Sequence, residues 1–131
     1  MAIPEEVQEW LNKAEEDRRV AEVLLRSGEE LTLPCMFHLQ QMIEKQLKAL
    51  MIARGKRVAR THDLGRLALE TEAQDIKGLL HLCDTLNLFA VNGRYPGDLP
   101  EVSISEARAY YTQTEAIGQH LIQRITDLTG R

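Results

Sequence analysis

The sequence predicts an all-α protein: an up-and-down four-helix bundle with one short additional helix. Three observations point there. Apolar residues recur at three- and four-residue spacing along most of the chain, which is the period of a helix with one buried face. No segment sustains the alternation of a half-buried strand. The periodic stretches run to about 20 residues with short connections between them, which favours antiparallel neighbours. Such helices would be roughly 30 Å long. A chain of 131 residues is expected to form one domain (1–131) with a core large enough to need no metal or disulfide.

The first helix is expected over residues 4–26. Val7, Trp10, Leu11, Ala14, Ala21, Leu24 and Leu25 form its stripe. Pro4 suits the first turn, where its missing N–H costs nothing, and Glu5 and Glu6 complement the positive end of the helix dipole. Ser27-Gly28 should end it. Asp17 breaks the stripe, standing where the spacing expects an apolar residue. A second helix is expected over 33–53 on Met36, Leu39, Ile43, Leu47 and Leu50, with Gly55 as its stop. Thr61 can cap a short third helix, with Asp63 near its start. A fourth, over 75–90, would bury Ile76, Leu79, Leu80, Cys83 and Leu86. "NGRYPGDLP" then interrupts the helical pattern with glycines and prolines. Ser103-x-x-Glu106 is a capping box opening the last helix, whose inner side reads Tyr110, Thr114, Ile117, Leu121, Ile125 and Leu128.

Composition excludes several classes. The apolar fraction of 44% and charged fraction of 27% are ordinary for a soluble globular chain. No stretch approaches the roughly 20 apolar residues of a membrane span, and "MAIPEEVQEW" has no apolar core of the signal-peptide kind. Cys35 and Cys83 fit no metal or redox spacing and read as buried thiols, in keeping with a reducing cytoplasm. No Glu-x-x-His of a di-metal bundle occurs, nor a glycine-rich phosphate loop. No cofactor and no metal site is expected.

Charge is informative through its distribution. The net charge is −4, yet residues 45–66 hold seven bases (Lys45, Lys48, Arg54, Lys56, Arg57, Arg60, Arg66) against one acid, Asp63. The remainder carries nine bases against 19 acids. At the centre of the positive segment lies "GKRVARTHDL". Like charges gathered this closely imply an anionic neighbour: a nucleotide phosphate, RNA, or an acidic protein surface. On the second helix, Gln41, Glu44, Lys45 and Lys48 lie beside the core stripe. One reading is a solvated face with a Glu44–Lys48 pair at the favourable spacing. The other is a groove lined by Gln41, Lys45 and Lys48, with Asp17 reaching across to one of the lysines, because a buried acid requires a partner.

Trp10-x3-Ala14-x2-Asp17, "FHLQQMIEKQLKALMIARGK", "RTHDL" and Tyr95-Pro96 together resemble the HEPN domain family. The most specific portion is "QQMIEKQLKAL" followed by "THDL". The resemblance covers nearly the whole chain and implies a four-helix up-and-down bundle with a short extra helix, often dimeric. It also implies a minimal nucleotidyltransferase as partner, the two commonly forming a toxin–antitoxin pair. Many members resemble metal-independent endoribonucleases with an Arg-x4-6-His motif; others are nucleotide-binding or noncatalytic partners.

Arg57-x4-His62 matches that motif literally. Histidine could take a 2′-hydroxyl proton or protonate a leaving oxygen, and arginine could hold the scissile phosphate. In toxin-type members, however, the motif lies late in the chain with a tyrosine two residues beyond the histidine. Here it lies between the second and third helices, and Leu64 occupies the tyrosine's place. The expectation is therefore a nucleotide- or RNA-binding and interaction module, a homodimer acting with a nucleotidyltransferase. Its phosphate-binding residues would be Gln41, Lys45, Lys48, Arg57, Arg60 and His62. The alternative is an endoribonuclease with Arg57 and His62 as catalytic residues in a dimer.

Overall fold

In a computed structural model of the chain, residues 3–90 and 97–130 are described. Helices α1 (Glu5–Arg26), α2 (Thr32–Ala53), α3 (Leu64–Glu70), α4 (Leu79–Asn87) and α5 (Ile104–Thr129) follow in order, with no strand among the described residues. Arg94, Tyr95 and Pro96 lie outside the described residues.

Side-chain contacts define the directions of the helices. Lys48 of α2 lies over the Trp10 ring at the start of α1, while His38, earlier in α2, meets Asp17, later in α1. These two helices are therefore antiparallel. Arg108 donates to the Leu25 carbonyl and Arg18 to the Tyr111 hydroxyl, so α5 also runs against α1 and parallel to α2. The segment after α2 places His62 beside mid-α2. Asn87, the last residue of α4, accepts a bond there from the Leu64 amide, so α4 runs back along α2. The topology is up-and-down, with α3 as the extra helix.

α2 is the central element. Met36, Leu39, Ile43, Leu47 and Leu50 are all fully buried, and α2 packs against each of the other four helices. α5 approaches it closely at Gly118, where an added Cβ would come within 2.9 Å of both Met42 Cε and Gln46 Oε1. Burial of the α2 stripe against Leu121 and Ile125 of α5 and Val7, Leu11 and Ala21 of α1 makes one continuous core. Each large side chain removed from water there contributes about 1.5–3 kcal/mol.

Local rules account for most helix ends. Gly28 and Gly55 take the left-handed conformation at φ +80° and +77° beyond α1 and α2, which L-residues with a Cβ disfavour. The α5 capping box forms in both directions: Glu106 N–H to Ser103 Oγ, and Ser103 N–H to Glu106 Oε1.

Several sequence expectations require correction. Pro4 is the residue just before α1 and its N-cap, rather than part of its first turn. α4 begins at Leu79, four residues later than expected, because Gly78 at φ +83° breaks the right-handed path through 75–78. Ile76 is buried from that non-helical segment. Leu80 and Leu128, expected on the buried sides of α4 and α5, are exposed (40% and 45%). Asp63, not Thr61, caps α3, its carboxylate accepting from the Arg66 amide. Thr61 Oγ1 instead accepts from the Asp63 amide, closing the turn before it.

Candidate functional site

Two polar rows run along α2 beside its core stripe. Gln40, Glu44 and Lys48 are spaced four apart and form one row; His38, Gln41 and Lys45 form the other. Three- and four-residue spacings put each set on one side of the helix.

The second row meets α1. Asp17 accepts from Lys45 Nζ at 2.6 Å and lies 2.8 Å from His38 Nδ1. Its side chain is 8% exposed, against 23% for Lys45 and 28% for His38. The interruption in the α1 stripe is thus a buried carboxylate between a lysine and a histidine nitrogen, and of the two lysines it is Lys45 that it meets. Buried charge persists only when paired in this way. Gln41 points along α2, donating to Gln40 Oε1 at 2.7 Å.

The first row centres on Glu44, whose side chain is 5% exposed. Lys48 Nζ donates to Oε2 at 2.9 Å, and Gln40 Nε2 to Oε1 at 3.0 Å. His62 Nδ1 lies 3.0 Å from the same Oε1. Burial pushes the Glu44 carboxyl upward, but the donors Lys48, Gln40 and His62 together outweigh it and hold the group below the usual glutamate range. The carboxylate is therefore ionised and can only accept. His62 Nδ1 must be the donor, which leaves Nε2 without an intramolecular partner among the described residues. The rest of the His62 side chain faces outward, 67% exposed.

The backbone around His62 is secured on both sides. Gln40 Nε2 also reaches the His62 carbonyl at 3.4 Å. Asn87 Nδ2 donates to Asp63 Oδ1 at 3.2 Å, and Asn87 Oδ1 accepts from the Leu64 amide at 2.9 Å. A loop histidine is therefore fixed by α2 and α4 together.

The seven bases of 45–66 divide clearly. Lys45 and Lys48 are paired with Asp17 and Glu44. Arg54 binds the Thr71 carbonyl and approaches Glu72, Lys56 binds the Glu70 carbonyl, and Arg66 pairs with Glu70. Arg57 and Arg60 are exposed and make no side-chain hydrogen bond or ion pair among the described residues. Of the residues expected to line a groove, the structure therefore brings Arg57, Arg60 and His62 to one short exposed segment. It does not bring Gln41, Lys45 and Lys48 into contact with that segment among the described residues: the lysines are paired with Asp17 and Glu44, and Gln41 Nε2 donates to Gln40. No cluster of three or more His, Cys, Asp or Glu suited to a metal ion occurs among the described residues.

Sequence reasoning found Glu44 only as a partner for Lys48. Its bond to His62 joins residues 18 apart, which no helical spacing reveals. The Gln40–Glu44–Lys48 row was the available signal: three polar residues in register next to an unbroken apolar stripe. His38 was not expected to meet Asp17 at all.

A sequence model of the HEPN domain matches residues 7–124. No protein with a curated description matches the chain. Among solved structures, TT1696 from Thermus thermophilus superposes with a TM-score of 0.67 at 24% identity, over 93% of this chain and 97% of the other. ST0689, described as an archaeal HEPN homologue, superposes with a TM-score of 0.73 at 21% identity, over 91% and 97%. At these identities the likeness establishes a shared fold.

Proposed function

The chain belongs to the HEPN domain family, and from that premise we propose that it is a phosphate-binding interaction module for nucleotides or RNA. The site is the exposed segment holding Arg57, Arg60 and His62, which Gln40 and Glu44 hold to α2, with Gln41, Lys45 and Lys48 as the further residues that would line it. In this reading the protein is a cytoplasmic homodimer that acts with a minimal nucleotidyltransferase in a toxin–antitoxin-like pair. The observation that supports it most is the uneven use of positive charge. Five of the seven clustered bases are engaged within the fold, while Arg57 and Arg60 stand exposed beside a rigidly held histidine. Two neighbouring arginines repel each other and gain by sharing a bound anion.

The test is titration of the purified protein with AMP and with a short single-stranded RNA, beside the Arg57→Glu/Arg60→Glu variant. Wild-type binding should weaken with rising salt, and the reversed charges should abolish it. Equal affinity in both proteins refutes the site. Co-expression with an adjacently encoded nucleotidyltransferase, followed by co-purification, tests the partner.

One observation favours a second reading, a metal-independent endoribonuclease. Donation from His62 Nδ1 to Glu44 leaves Nε2 able to accept a proton. It would take the proton of a ribose 2′-hydroxyl, whose oxygen would then attack the adjacent phosphorus. The bond to the 5′-oxygen would break, that oxygen taking a proton from the second histidine of a dimer. The products would be a 2′,3′-cyclic phosphate and a 5′-hydroxyl, with Arg57 stabilising the charged phosphorane. RNA cleavage in chelator that disappears in His62→Ala would select this reading. Cleavage surviving the substitution would remove His62 from it.

A further inference from the structure

Carboxylate, lysine and histidine occur together twice along α2, each set completed by one residue from outside that helix, and the two differ in the exposure of the histidine. Asp17 holds Lys45 and His38; Glu44 holds Lys48 and His62. In both, a buried acid faces a histidine Nδ1 at 3.0 Å or less. His38 is largely enclosed, its ring meeting the Phe37 ring edge-on at a centroid distance of 5.3 Å. His62 is mostly open to solvent. A buried acid is a costly means of holding an exposed ring in place, unless that ring has something to present.

We infer that Glu44 is a positioning residue for the phosphate site: it fixes His62 as the Nδ1–H tautomer, so that Nε2 faces a phosphate ester together with Arg57 and Arg60. The inference rests on the phosphate-binding reading above and adds a residue to it. Free imidazole side chains have no carboxylate to select a tautomer. Here an ionised, acceptor-only group selects it, since a ring nitrogen beside a carboxylate must bring the proton. The ring is thereby held with Nε2 turned to solvent, the carboxylate orienting it from behind as orienting carboxylates do for ligating histidines.

The groups facing the His62 ring and its carboxylate are few. Around the carboxylate stand Lys48 and the neutral Gln40 of α2; Arg57, Arg60 and Asp63 share the exposed segment with His62, and the neutral Asn87 of α4 holds Asp63. Lys48 neutralises Glu44 in the absence of ligand. That keeps the pair from repelling an incoming phosphate.

The experiment combines two readings on full-length protein. Nitrogen-15 NMR of the histidine rings identifies each tautomer without any ligand, and AMP titration measures affinity. Two variants are used: Glu44→Leu, which removes the acceptor, and the charge-balanced Glu44→Leu/Lys48→Met, which leaves no unpaired buried lysine and protects the fold. The neutral His62 ring of the wild type should carry its proton on Nδ1. Both variants should lose it, while His38 keeps its own pattern, and AMP affinity should fall about tenfold or more, the usual cost of removing an orienting partner. An Nε2–H tautomer in the wild type overturns the inference, as does unchanged AMP affinity in folded variants that have lost the Nδ1–H form. If wild-type protein binds neither AMP nor phosphate, the phosphate reading fails separately, and with it the role assigned to Glu44.

Discussion

Replacing Asp17 with asparagine should destabilise the protein by about 2 kcal/mol. The carboxylate accepts at 2.6 Å from Lys45 and lies 2.8 Å from His38. Hydrogen bonds to charged groups each contribute about 1.5–3 kcal/mol, and breaking one side of a fully buried pair costs about 3–5 kcal/mol. Lys45 retains 23% exposure, so its ammonium can swing to water on its flexible stem, which lowers the cost from that range. For a domain of this size 2 kcal/mol corresponds to a fall in Tm of about 8 °C. The double variant Asp17→Leu/Lys45→Met should behave differently. It removes both charges together and restores an apolar residue to the α1 stripe, so its stability should match or exceed wild type. Urea unfolding of the wild type, the two singles Asp17→Leu and Lys45→Met, and their double gives the coupling energy directly. If Asp17→Asn lies within about 0.5 kcal/mol of wild type, or the Leu/Met double is less stable than either single, then the buried pair does not hold α1 on α2 as described.

Two further predictions concern the other end of the site and the last helix. The Glu44 carboxyl is held below its ordinary value, so its contribution to stability is fully present above the unfolded value of about 4.3 and is lost as pH falls through the lower folded value. Glu44→Gln should therefore flatten the acid limb of a stability-versus-pH curve below about pH 4, seen by urea unfolding at stepped pH; an unchanged limb would place the acid sensitivity elsewhere. Ser103→Ala removes the side chain that accepts from the Glu106 amide and should cost about 1 kcal/mol. Thermal melts followed by circular dichroism measure it, and a loss below about 0.3 kcal/mol would contradict the role of the cap.

Periodicity in the sequence was sufficient for the helices, their order and the core of α2, because every stripe residue from Met36 to Leu50 needs only a regular helix to reach the interior. The Ser103–Glu106 cap was legible for the same reason: its partners are three residues apart. So were the left-handed stops at Gly28 and Gly55. Legibility ended where partners are distant in the chain. Asp17 was visible as an anomaly, but whether Lys45 or Lys48 satisfies it depends on the rotation of α2 against α1. The start of α4 depended on the backbone at Gly78, which apolar spacing does not register.

The same boundary runs through the candidate site. Local charge in the sequence determined that residues 45–66 form a positive segment, and the family pattern drew attention to His62. Only the tertiary structure decided which of those charges are already neutralised. An ion pair is set by three-dimensional proximity and burial, and residues 17 and 45, or 44 and 62, become neighbours only when helices pack and a loop folds back across them. Packing leaves Arg57 and Arg60 exposed and turns an apparent surface pair, Glu44–Lys48, into the buried support of a histidine.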